Sequence, residues 1–200
     1  DTVNFQVYGN MEPQKAATEA VRETEGQILC QNGEAVEAYY FSTSAGVTST
    51  DEIWGSDEAA PYLRSVPCKF DEEEPWSSWI VELPWKMLED RIREKGEGTV
   101  LRSVTVTRRS ESGAATALEA VSDKDSCIIE NEYEIRKFLA PVNCMITEKD
   151  GTETAGGSLL PSAYFELERT QNGNLQVRGK GYGHGVGMSQ TGADKMAERG

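Results

Sequence analysis

Gly179-Lys180-Gly181-Tyr182-Gly183-His184-Gly185-Val186-Gly187-Met188-Ser189-Gln190-Thr191-Gly192 is the stretch on which the reading of this chain turns, and it holds the only histidine. Six of its residues are glycine. Glycine has no Cβ, so it admits positive φ and close approach of a ligand or a second backbone, at a cost in conformational entropy. A solvated linker has no use for Tyr182, His184 and Gln190 as well. Two readings follow: a glycine-rich turn entering a helix with a packed histidine, or a loop whose backbone and side-chain donors converge on a polar ligand. Val186 to Arg199 reads as a helix, with Met188, Ala193 and Met196 apolar. Gly183 to Gly187 would then lie at a helix N-terminus, where unpaired amide N–H groups suit an anion or a polarised carbonyl oxygen.

Outward from this stretch, strands alternate with short helices. Ala163 to Glu168 and Leu175 to Arg178 flank a turn at Asn172-Gly173. Ile28 to Gln31 and Glu34 to Phe41 flank Asn32-Gly33, the pair that most readily supplies the two positive φ angles of a type I′ turn. The second of these strands runs into Ser42-Thr43-Ser44 and places those hydroxyls at a strand end, where scaffolds present ligand-binding groups. Thr99 to Arg108 and Ala115 to Val121 form a further hairpin around Ser112-Gly113. Helices are expected at Glu12 to Thr24, at Pro84 to Lys95 with Trp85, Leu88 and Ile92 at helical spacing, and at Glu132 to Leu139 behind an Asn131 cap. Asp71-Glu72-Glu73-Glu74 reads as an exposed loop, because adjacent like charges repel. The fold class is α+β, rich in β-hairpins with short helices, in two lobes that set the Ser/Thr and Gly-His segments across a cleft.

Composition narrows the partners. A hydrophobic content of 38% with 27% charged residues is ordinary for a globular domain. A net charge of −14 argues against nucleic acid, which demands a basic surface. Cys30, Cys68, Cys127 and Cys144 show no Cys-x-x-Cys pair and no neighbouring histidine, so neither a structural zinc nor any other metal is expected. Buried free thiols are expected, since the chain is too large to depend on staples; the even count also permits disulfides in an exported protein, with Cys127 and Cys144 the nearest pair in sequence.

Two motifs in order carry a resemblance. Gly181 to Ala193 closely resembles the C-terminal signature of the SpoIID/LytB family of sporulation and cell-wall proteins. Tyr40-Phe41-Ser42-Thr43-Ser44-Ala45-Gly46-Val47-Thr48, followed by Trp54 and Pro61-Tyr62-Leu63-Arg64-Ser65-Val66, is similar to the family's Ser/Thr-rich segment and Pro-Tyr-Leu element. The resemblance implies peptidoglycan as ligand and, in some members, lytic transglycosylase cleavage of glycan strands stripped of stem peptides. Substrate contacts would fall to Ser42, Thr43, Ser44, Tyr182, His184 and Gln190, with no cofactor. It also implies an extracellular or cell-envelope location, with a membrane anchor in the full-length protein, and other cell-wall hydrolases as partners.

Two departures qualify it. The family's proposed catalytic glutamate lies near an Ala-Arg-Thr-Tyr-Ala-like sequence that this chain lacks. Val3-Asn4-Phe5-Gln6-Val7-Tyr8 resembles the stretch after that helix, so residues 1–200 are expected to be one SpoIID-like domain without its N-terminal portion, inactive alone and with no catalytic residue assigned. Some relatives hold zinc where this chain has Asn4 and Phe5. Within the chain, Asp51 and Glu52 are alternative acids, and Trp54 either stacks on a sugar or packs between lobes. Two other classes stay open: a non-catalytic wall-binding module that enhances a separate amidase, and a serine hydrolase pairing Ser42 or Ser44 with His184, which lacks a Gly-x-Ser-x-Gly elbow.

Overall fold

The structure, a computed structural model, describes residues 12–56 and 59–199. Val3 to Tyr8, with Asn4 and Phe5, lie outside the described residues. The chain divides into two compact units, Asp1–Glu37 and Ala38–Gly200.

In the first unit α1 (Lys15–Glu23) starts three residues later than the sequence suggests, because Gln14 is extended. Pro13 disfavours helix in the residue before it. The helix closes at Gly26, whose φ is +74°. It buries none of its residues, and Val21 is 70% exposed. β1 (Cys30–Gln31) and β2 (Glu34–Ala35) pair antiparallel around Asn32 and Gly33, with φ of 53° and 87°, the type I′ turn expected of Asn-Gly. The ladder ends at Ala35 instead of continuing to Phe41.

The second unit opens with β3 (Tyr40–Phe41), followed after a 3-10 turn at Asp51–Trp54 by β4 (Trp79–Leu83) and α2 (Trp85–Glu94). A meander of β5 (Leu101–Arg109), β6 (Ala115–Ser122) and β7 (Ser126–Glu130) leads to α3 (Glu132–Phe138). β8 (Met145–Glu148), β9 (Glu153–Ala155), β10 (Phe165–Arg169), β11 (Leu175–Gly179), β12 (Met188–Ser189) and α4 (Gln190–Arg199) complete it. Five strands form an antiparallel sheet in the order β10-β11-β4-β8-β9, three form the β5-β6-β7 sheet, and β3 pairs in parallel with β12. The architecture is α+β, in small sheets.

The core lies where β4 meets α2 and α3. β4 alternates buried and exposed positions, so Trp79, Val81 and Leu83 face inward. Leu88 and Ile92, one helical turn apart on α2, meet them, with Leu118, Ile135, Leu139 and Val177 closing the cluster. Burial of each such side chain contributes about 1.5–3 kcal/mol. Asn131 caps α3 by accepting from the Glu134 amide at 2.9 Å, as expected of a cap residue. Inside α3, Glu132 and Arg136 form a buried ion pair, and the guanidinium also donates to the Leu160 carbonyl. The strands β7, β8 and β9, at most five residues each, have too little alternation to be read from sequence. All four thiols are free, and none is fully buried: Cys30 is exposed and the others are half-buried.

Candidate functional site

The Ser/Thr and Gly-His segments do not face one another across a cleft; they are hydrogen-bonded to each other. β3 and β12 pair Tyr40 with Met188 and Phe41 with Ser189. Just beyond β3, the Thr43 amide donates to the Tyr182 carbonyl at 3.1 Å and the Tyr182 amide returns to Thr43 at 2.8 Å. The Ser49 amide reaches the Gly185 carbonyl at 2.7 Å. Backbone groups of Tyr40 and Phe41 thus find their ladder partners near the other end of the chain, which is where the strand expected as a continuation of β2 goes.

Beneath this junction lies Asp71, which is 0% exposed. Its carboxylate accepts from the Ser44 amide at 2.7 Å, from Ser44 Oγ at 2.7 Å, from Ser189 Oγ at 2.6 Å and from Thr191 Oγ1 at 3.3 Å. One side chain therefore binds both signature segments. The expectation of an exposed acidic loop fails here and holds for Glu72 and Glu73, which are exposed. Local charge does not distinguish Asp71 from its neighbours. The available signal was the set of hydroxyls at Ser44, Ser189 and Thr191, which need a buried acceptor once packed. Burial, reinforced by the Asp71 charge, raises the nearby Cys68 thiol pKa, so this cysteine is poorly reactive.

The helix expected from Val186 begins instead at Gln190. Gly187 has a φ of +83°, outside the helical region, and a Cβ there would collide with the Tyr39 carbonyl. Of the amides from Gly183 to Gly187 expected to face an anion, those of Gly183 and Val186 are used internally, as is that of Met188 just beyond. Gly183 donates to Pro161 at 2.8 Å, Val186 to His184 Nδ1 at 3.1 Å, and Met188 to Tyr39 at 3.1 Å. Ser189 Oγ accepts from the Gly192 amide at 3.2 Å and so caps α4.

His184 is half-buried, with its ring edge-on to Trp54 at 5.1 Å and near Phe41 at 5.8 Å. Burial pushes its pKa below the ordinary value, against the opposing pull of Glu132 and of a hydrogen bond with the Tyr40 backbone. The imidazole is thus neutral at pH 7, with Nδ1 as acceptor and the proton on Nε2. Neither Ser42 nor Ser44 hydrogen-bonds to it. Ser44 Oγ is held by Asp71 and by the Cys68 carbonyl at 2.8 Å, so a serine–histidine nucleophile is not assembled.

Of the six residues selected from sequence, Thr43 and Ser44 are buried and hold the junction, Ser42 and His184 are half-buried, and Tyr182 and Gln190 are exposed. Tyr182 is 42% exposed and meets Trp76 edge-on at 4.7 Å, an aromatic pair the sequence reading did not single out. Trp54, half-buried, packs edge-on against Tyr39 at 5.0 Å as well as against His184. Asp51 accepts from the Ala60 amide at 3.0 Å and Glu52 from Thr50 Oγ1 at 3.0 Å. Among the described residues no cluster of three His, Cys, Asp or Glu side chains is arranged to hold a metal, and no helix is long and apolar enough to cross a membrane.

Residues 64–187 match a family described as a domain of unknown function (DUF8618). Among curated proteins, the chain is 32% identical to stage II sporulation protein D of Bacillus amyloliquefaciens, over 93% of this chain and 46% of that protein. It is 31% identical to stage II sporulation protein D of Bacillus subtilis (strain 168), over 93% of this chain and 46% of that protein. It is 24% identical to the amidase enhancer of the same strain, over 100% of this chain and 32% of that protein. The chain thus spans less than half the length of these relatives.

Proposed function

This chain belongs to the SpoIID/LytB family and to the family described as a domain of unknown function (DUF8618), and from that premise we propose that it binds peptidoglycan glycan strands in sporulation-linked remodelling of the cell wall. The observation that carries the reading is the single hydrogen-bonded unit built from both signature segments around Asp71, in which Tyr182 and Gln190 are exposed and Ser42 is half-buried. Rigid positioning of polar groups beside an aromatic ring is what an amphipathic sugar requires: apolar C–H faces meet the ring, and hydroxyl and acetamido groups meet the donors. Glycan strands lie outside the cytoplasm, so the site of action is the cell envelope, with other wall hydrolases as working partners.

For catalysis, a lytic transglycosylase needs a carboxylic acid to protonate the glycosidic oxygen, and the muramic acid 6-hydroxyl then closes on the anomeric carbon. We assign that acid to none of Asp51, Glu52 and Asp71. Asp71 is sealed by its own hydrogen bonds, and Asp51 and Glu52 serve local turns. The role of this chain is to hold the glycan.

Calorimetry with denuded glycan oligomers tests the reading. Binding is expected for the chain as given, and Tyr182→Ala should weaken it about tenfold, the value of roughly one to two net contacts. Equal affinity of the variant would remove Tyr182 from the site, and absence of binding by the parent would reject the reading. The alignment of the amidase enhancer with the whole chain favours one second reading, an accessory module that binds wall glycan and assists an amidase. Glycan binding that stimulates an added wall amidase without release of anhydro-sugar product would select it.

A further inference from the structure

We propose that the polar cleft next to the signature unit is a separate sugar subsite that takes one pyranose unit of a glycan strand; this rests on the glycan-binding reading above. The cleft encloses about 320 Å³ between Ser44, the Glu72–Ser78 loop, Lys149 and Lys180. That is the small end of the ~300–1,000 Å³ range of ligand clefts, and suits one ring better than several.

Its chemistry follows from which groups are already in use. Ser44 Oγ is held by Asp71 and Cys68. Lys149 Nζ is held by the Glu73 carboxylate at 2.8 Å and the Glu72 carbonyl at 2.7 Å. Among the described residues, four lining side chains have no hydrogen-bond or ion-pair partner: the Lys180 ammonium, the Glu72 carboxylate and the hydroxyls of Ser77 and Ser78. They supply a charged donor, a charged acceptor and two groups that do both. Lys149 pairs with Glu73, and one unpaired charge of each sign is left, on Lys180 and on Glu72. An anionic ligand would meet Glu72, a cationic one Lys180, and an apolar one little wall to cover. A neutral ring with adjacent hydroxyl and amide groups can satisfy all four.

The chain also links this cleft at two points to the pair of exposed Tyr182 and half-buried Trp76. Ser77 follows Trp76, and Lys180 lies two residues before Tyr182, while the Gly181 amide donates to the Trp76 carbonyl at 2.9 Å. The aromatic pair and the cleft are therefore neighbours, one apolar and one polar, along a single path for a strand.

Titration calorimetry with N-acetylglucosamine oligomers of two to five units tests the proposal. Affinity should rise about tenfold at the length that reaches the cleft, as one or two net hydrogen bonds would give. Lys180→Met and Ser78→Val, both tested for folding by circular dichroism, should remove that gain while short oligomers bind as before. Length-independent binding, or a gain that survives both substitutions, overturns the subsite and leaves the glycan-binding reading intact. Failure of every length to bind overturns both.

Discussion

The core around β4 and α2 and the junction around Asp71 belong to one folding unit but are held by different forces. In the core, Leu83, Leu88, Ile92 and Val177 are sealed by apolar contact, which is non-directional and roughly proportional to the area removed from water. At the junction, a buried carboxylate, three hydroxyls and a run of backbone hydrogen bonds hold segments more than a hundred residues apart. Such bonds contribute little net stability when made and cost more when one partner is lost. The core therefore sets how stable the unit is, and the junction sets how well the accessible residues are placed. Trp79 joins the two: its ring packs in the core, while its indole N–H donates to the Gly181 carbonyl at 2.9 Å. Gly179 is required there because any Cβ would overlap the Trp79 ring.

The comparison can be broken most forcefully from the core side. Leu88→Ala should lower stability by about 2–5 kcal/mol in urea denaturation, through lost transfer energy and an unfilled cavity, without changing the glycan affinity of the folded fraction. A loss of affinity in that fraction would mean that the two regions are not separable. Next in size is Asp71→Asn, which keeps the shape but aims an amide N–H₂ at groups that are themselves donors. It should cost about 1–3 kcal/mol of stability and, unlike Leu88→Ala, reduce the glycan affinity of the folded fraction. Stability lost with affinity retained would confine Asp71 to a purely structural part. Trp79→Phe should have a comparable effect, about 1–3 kcal/mol, because the smaller ring leaves a gap and the buried Gly181 carbonyl loses its partner.

The smallest expected effect is in pH. Burial holds the His184 pKa below its unfolded value of 6.5, so below that pH the unfolded chain binds more protons than the folded one. This contribution to stability is fully present above pH 6.5 and is lost as the pH falls through the lower folded value. Denaturation of parent and His184→Gln across pH 5 to 8 checks it: the variant should show a flatter dependence in that window. Identical profiles would show that the histidine is not desolvated.

Much of the local architecture was legible because it rests on local chemistry. Asn32-Gly33 announces its turn because both residues tolerate positive φ, and Asn131 its cap because a short acceptor precedes the helix. Trp85, Leu88 and Ile92 repeat at helical spacing, and α2 forms there. The early start expected for α4 failed for a tertiary reason. Met188 and Ser189 are helix-compatible by type but are occupied in pairing with β3, across the whole length of the unit.

Residue order alone thus determines the hairpin turns, the helix caps, the two signature segments and the family they mark, since each depends on side chains within a few positions of one another. Which acidic residue of Asp71 to Glu74 turns inward, which strand β3 joins, and which of Ser42, Thr43, Ser44, Tyr182, His184 and Gln190 remain open to a ligand were settled only by the folded chain. Those outcomes depend on the partner that each hydrogen-bonding group finds once water is excluded, and that partner lies tens to more than a hundred residues away.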